Sequence, residues 1–201
     1  MIKAEDISSL SVPSLIQRLD KVLEARESYV KEKVQRIDSL KNEFSSSRML
    51  DEKYAISTRL VVEYRSYICD SAMKYVDENW KIAMQTKSST QLNETQLLRA
   101  NLLLSVGMYQ ETFDILRNMD VTQLNLPLLK QYYHCNEQIY YHLSNYARGT
   151  SYEENYGEKS KLYVDSLLLV SDKNSNEYMR LLARKSYNEG NVNKAKEILL
   201  K

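Results

Sequence analysis

The chain has 201 residues, with 28 basic side chains against 27 acidic ones, four Gly, two Pro and two Cys. That length supports one core or one elongated array, and so little Gly and Pro excludes a hairpin-rich β fold. A charge balance without any basic tract excludes direct binding of duplex nucleic acid, and no run reaches the ~18 apolar residues of a membrane span.

The first element opens at "SVPSLIQRLDKVLEARESYVKEKVQRIDSLKNEF". Ser11 suits an N-cap, and Pro13 falls in the first turn, where its missing N–H does no harm. Leu15, Leu19 and Val22 form one apolar stripe; Val30, Val34, Ile37, Leu40 and Phe44 form another, offset by about one residue. This predicts a long helix over about 11–45, or two helices with a soft join near Tyr29. The drift of the stripe, and Arg26 and Lys33 within it, favour packing against other helices over a self-dimerising coiled coil. Helix pairs are then expected over 50–201. Asp51 and Glu52 suit a helix start, with helices to about Tyr67 and from Asp70 to Thr86. "KSSTQLNETQ" reads as a loop closed by an Asn93/Gln96 capping box. Helices follow at about 94–106 and 109–118. "MDVTQLNLP" is a linker, and Pro127 opens the next helix. "SNYARGTSYEEN" breaks that helix, with Ser151 and Glu154 capping another that runs to about Val170. A last pair is expected at about 177–189 and 192–200. Paired helices joined by short turns predict an all-α repeat array.

Two segments superimpose without gaps, "ANLLLSVGMYQETFDIL" from Ala100 and "ARKSYNEGNVNKAKEIL" from Ala183. Ala100 and Ala183 let one helix approach its partner. Gly107 and Gly190 end that helix with the positive φ that Gly adopts most easily. Tyr109 and Val192 pack into the turn, and Thr112 and Ala195 leave room where the second helix crosses the first. The spacing resembles the tetratricopeptide repeat, a helix–turn–helix unit. It degrades around Leu60–Tyr67–Ala72, with Tyr67 at the glycine position. It is weakest over 128–169, where the turn is longer and no small residue is expected to face the partner helix.

A narrower resemblance rests on "LDKVLEARESYVKEKVQRIDSLK", "EYRSYICDSAMKYVDENWKIA" and "YVDSLLLVSDKNSNEYMRLLARKSYNEGNVNKAKEILLK". These are similar to the N-terminal sensory region of Bacteroidetes tetratricopeptide-containing transcriptional regulators. The resemblance implies a signal sequence, a periplasmic helical segment and a membrane helix that tethers the regulator, followed by an output region. It therefore implies a periplasmic or inner-membrane-associated location, with a cytoplasmic one as the alternative. The start "MIKAEDISSL" lacks the basic and apolar regions of a signal peptide. The chain ends on the second helix of a repeat, "AKEILLK", without the polar terminal element a solenoid needs, so the native protein is expected to continue beyond Lys201.

The most chemically suggestive stretch is "YYHCNEQIYYH", Tyr132 to His142. His134 and His142 are eight residues apart, about 12 Å along a helix, too far to share a metal ion. Cys135 lies on the apolar stripe Leu129, Tyr132, Cys135, Ile139, Leu143, where a free Cys acts as a small apolar residue. There is no Gly-rich phosphate loop, nucleophile elbow or H-E-x-x-H motif. No catalytic residue, metal ligand or cofactor is expected, and an enzyme would have to carry an unrecognised site.

In tetratricopeptide folds the first helices of each pair line a concave groove. By register, this resemblance assigns Tyr54, Ser57, Val61 and Tyr64 to that face, then Leu97, Asn101 and Leu104. It adds His134, Gln138 and Tyr141, and finally Arg180, Arg184 and Tyr187; a shift of one residue would give Tyr133, Glu137 and Tyr140 in the third set. Tyrosine suits recognition of a peptide or sugar, although each Tyr alone is better read as packing between repeats. Arg184 and Tyr141 are expected to matter for binding and little for stability. The expected role is a non-enzymatic scaffold that binds a protein or peptide, or a glycan. A homodimer built through the N-terminal helix and the final repeat is the structural alternative.

Overall fold

A computed structural model describes residues 11–200, and among these all regular structure is helical. Helices α1 (Val12–Glu24) and α2 (Arg26–Ser46) precede four antiparallel pairs. These are α3 (Leu50–Arg65) with α4 (Cys69–Thr86) and α5 (Ser89–Ser105) with α6 (Tyr109–Arg117), then α7 (Leu126–Tyr146) with α8 (Glu153–Val170) and α9 (Asn176–Asn188) with α10 (Val192–Leu199). Each pair leans on the next through α4 on α5, α5 on α7 and α8 on α9, while α2 packs on α3. None of the described helices is long and apolar enough to cross a membrane.

The core runs along the array as linked clusters. Ile37 and Leu40 of α2 meet Leu60, Val61 and Tyr64 of α3, Ala72 and Val76 of α4, and Leu102 of α5. Further along, Leu97, Ala100 and Leu104 of α5 meet Leu116, Leu128, Cys135 and Ile139. The α3 positions recur at three- and four-residue intervals, which puts them on one helical face. Each fully buried Leu or Ile contributes roughly 1.5–3 kcal/mol relative to exposure.

The repeat signature holds at both of its strong units except at Val192, which is exposed and does not pack into its turn as Tyr109 does. Ala100, Thr112, Ala183 and Ala195 are all buried, and the Thr112 hydroxyl lies 3.5 Å from the Ala100 carbonyl oxygen across the crossing. Gly107 and Gly190 end their helices at φ of 82° and 80°. In the first pair, Leu60 and Ala72 are fully buried. Tyr67 sits in the turn at negative φ, since Lys87 is the sole described non-glycine residue with a positive one.

Four expectations change. The N-terminal helix breaks at Ala25 (φ −80°, ψ 1°), four residues before Tyr29. The expected loop over 87–96 is only Lys87 and Ser88. Lys87 takes the left-handed C-cap, and the Ser88 side chain accepts from the Gln91 N–H in place of the Asn93/Gln96 box. The start of α8 is held without the Ser151 cap: the Gly149 N–H donates to Glu153 Oε2 at 2.7 Å, and the Tyr152 N–H donates to Thr150 Oγ1 at 3.3 Å. The third pair does have small residues at its crossing. Gly157 faces Ser144 so closely that an added Cβ would lie 3.4 Å from its Oγ, and Ser160 is buried against Glu137.

Candidate functional site

Helices α5 and α7 run side by side and open onto one solvent-facing depression of about 470 Å³. Asn101 and Leu104 line it from α5, His134, Gln138 and His142 from α7, Tyr109 from α6, and Arg65 from the end of α3. Of the sequence-expected groove residues, Asn101, Leu104, His134 and Gln138 therefore converge here. The Asn101 Nδ2 donates to the Leu97 carbonyl at 2.8 Å. The Gln138 Nε2 donates to Glu137 Oε2 at 3.3 Å. In both, the side-chain carbonyl oxygen is the group left to accept from a partner. The depression has no Asp or Glu in its lining, although the chain carries 27 acidic residues. Arg65 is the sole Lys, Arg, Asp or Glu among its lining residues.

His142, one further i+4 step beyond His134 and Gln138, lines this depression, whereas Tyr141 does not. Its ring stacks on Tyr109, with centroids 6.4 Å apart. Among the described residues, no three His, Cys, Asp or Glu side chains gather where a metal ion could bind.

Several expected groove residues lie elsewhere. Tyr54 and Tyr64 are buried and do not line a groove. The Tyr54 hydroxyl donates toward the Gln91 carbonyl at 3.0 Å and Glu94 Oε2 at 2.9 Å, and burial holds its pKa well above the usual value. Tyr64 stacks on Tyr75 at 5.8 Å. Ser57, Val61 and Leu97 are likewise core residues. Tyr141 turns toward α8, where it lines a second depression with Ser144 and Gly157. Arg180 lies at the end of the array beside Met179 and Leu199, and Tyr187 is exposed.

Arg184 has a structural role that sequence reasoning missed. Glu137 is 1% exposed, and Arg184 Nη2 lies 2.6 Å from its Oε1. That contact is ionic and not an aligned hydrogen bond, while Nη1 donates to Oε2 at 3.2 Å. The Ser160 hydroxyl donates to Oε1 at 3.2 Å, and the guanidinium carbon sits 4.3 Å from the centre of the Tyr141 ring. Arg184 and Tyr141 thus fasten the fourth pair to the third.

The shifted register fares no better as a groove. Tyr140 packs on Tyr163 at 5.8 Å and on Phe113 at 5.3 Å, and Tyr133 on Tyr163 at 6.2 Å. Burial pushes the Tyr163 hydroxyl up to about 12 and the Cys135 thiol to about 12. Cys135 is fully enclosed, as its place on the apolar stripe predicts.

The model of one family, the SusR N-terminal TPR domain, matches residues 23–201; TPR denotes the tetratricopeptide repeat. No curated protein and no solved structure matches the chain.

Proposed function

The chain belongs to the family of SusR N-terminal TPR domains, and on that premise we propose that its α5–α7 depression binds an acidic peptide segment of a partner protein. The repeat class is a protein-interaction scaffold. The observation that carries the finer reading is the convergence of Asn101, His134 and Gln138 on one open, carboxylate-free depression beside Arg65. The oxygens of Asn101 and Gln138 accept from an extended backbone, and Arg65 meets a carboxylate. Glu137, the acid bonded to Gln138, is already paired with Arg184 beneath the surface. A neutral glycan would use the same amides but would offer Arg65 no charge to pair with.

In this reading the domain is the non-enzymatic sensing segment of a membrane-tethered bacterial regulator, on the periplasmic side. Its family and the resemblance of its N-terminal and C-terminal stretches support that role. Selection of peptides from a random display library tests the site. Enrichment of Asp- and Glu-bearing peptides that bind the chain and not an Asn101→Ala/Gln138→Ala variant is expected. Peptides retained equally by that variant, or no acidic enrichment, would overturn the proposal. An alkaline phosphatase fusion that is inactive when attached to the full-length regulator's repeat segment would overturn the periplasmic placement alone.

A further inference from the structure

The chain has two histidines, and both line the α5–α7 depression. His134 and His142 lie on either side of Gln138 along α7, separated by roughly 12 Å of helix. Both are exposed, so protons and a partner reach them without any opening of the fold. A histidine side chain takes on its positive charge between about pH 8 and pH 5. Arginine, lysine and tyrosine each keep one charge state across that range. The two histidines therefore set how the charge of this surface varies with pH, and no lining carboxylate absorbs what they add.

The groups that face the two imidazoles come from several elements. Arg65 comes from the end of α3, and Lys33 of α2 reaches the rim, where its Nζ donates to Ser66 Oγ at 3.0 Å. From α6, the Tyr109 ring stacks on His142. From α7 itself, the Tyr141 ring meets His142 at 5.7 Å and a steep 63°. Helix α5 supplies only uncharged side chains, and α8 and α9 supply no lining residue. Glu137, beside Gln138 on α7, is already paired with Arg184. The C-terminal ends of α3 and α5 also lie here and offset part of the Arg65 charge. Two imidazolium charges added to such a surface change its attraction for an anion more than any other titration near neutral pH.

We propose that protonation of His134 and His142 gates this depression, so that an acidic peptide binds more tightly as pH falls below neutrality. The proposal rests on the peptide-binding reading given above and names its regulation. An imidazolium about 4 Å from a peptide carboxylate in water contributes roughly fivefold in affinity. By reciprocity, a bound acidic peptide must make both histidines hold their protons more tightly.

Fluorescence anisotropy with a labelled hexaglutamate peptide tests the gate, since glutamate stays ionised down to about pH 5.5. Binding to the whole chain should be roughly tenfold tighter at about pH 5.5 than at about pH 8. That ratio should approach one in His134→Gln/His142→Gln. Proton NMR of the imidazoles in the unsubstituted chain gives a second readout, valid whatever the variant does. Adding the peptide should move the titration midpoints of both histidines upward. Equal affinity at the two pH values would overturn the gate and leave the peptide reading standing. So would a ratio that survives the double substitution, or midpoints that bound peptide does not move. Absence of binding at both pH values would overturn the peptide reading, and the gate with it.

Discussion

Arg184 of α9 holds the buried carboxylate of Glu137 on α7, with Nη2 2.6 Å from Oε1 and the guanidinium over the Tyr141 ring. The pair joins residues 47 apart in sequence and is the main polar fastening between the last two helix pairs. Removing the arginine alone leaves an anion with almost no access to water. Arg184→Ala should therefore cost roughly 3–5 kcal/mol, the usual penalty for stranding a buried charge. Replacing both partners, as Glu137→Gln with Arg184→Met, should recover most of that loss. Urea denaturation checks both variants. Equal midpoints for Arg184→Ala and the parent chain would show that Glu137 is stabilised in some other way.

The crossing of α5 and α6 gives a second test. Ala100 is fully buried, and the Thr112 hydroxyl reaches back to its carbonyl. There is no room for a larger side chain without moving a helix. Ala100→Leu should destabilise the chain by roughly 1–3 kcal/mol, read from the same denaturation midpoints. Thr112→Leu on the facing helix should behave alike. A neutral result at both sites would mean that the crossing is looser than the close contact implies.

The paired architecture was legible in the sequence because Ala100, Gly107 and Thr112 each meet a local requirement that spacing reveals. Helix starts were legible where a side chain caps its own third neighbour, as at Ser11. They were misread at Ser88, since a Lys in the left-handed C-cap carries no compositional signal. The groove was harder to place. Which face of α3 meets α2 and α4 depends on partners distant in sequence, so Tyr54 and Tyr64 resembled groove residues and proved to be core. His142 could have been found from the i, i+4, i+8 line through His134 and Gln138. Arg184 could not, because its partner is buried only once α8 packs on α7.

The glycines separate strain from crowding. Gly107 lies at φ 82° with nothing within 4 Å of a notional Cβ. Gly107→Ala should therefore lose roughly 1 kcal/mol through the left-handed backbone alone. Gly157 is helical, and its notional Cβ would touch only Ser144 Oγ at 3.4 Å. Helix propensity there favours Ala by roughly 0.8–1 kcal/mol, enough to offset a mild contact. Gly157→Ala should be neutral or slightly stabilising, and Gly157→Leu should be clearly destabilising. Thermal melts of the three variants decide the order. If Gly157→Ala melted lower than Gly107→Ala, the α7–α8 crossing would be tighter than its geometry indicates.

Alkaline pH should weaken the fold before it ruptures any ion pair. Burial raises the Cys135 thiol from 9.0 to about 12 and the Tyr163 hydroxyl from 10.0 to about 12, and it raises Tyr54 further still. In the unfolded chain these groups ionise at their ordinary values. As pH rises the unfolded state therefore releases protons first, and stability must fall with each proton it sheds. The stability these groups contribute is complete below about pH 9 and lost as pH climbs toward about 12. Urea midpoints should be flat between about pH 7 and pH 8.5 and then decline steadily. Cys135→Ala and Tyr163→Phe should each make the decline shallower, whatever their effect at neutral pH. Within the native chain Cys135 should also stay inert to a thiol-exchange reagent near pH 8, while the half-buried Cys69 reacts. A midpoint that held constant to about pH 11 would show that water reaches these side chains in the native state.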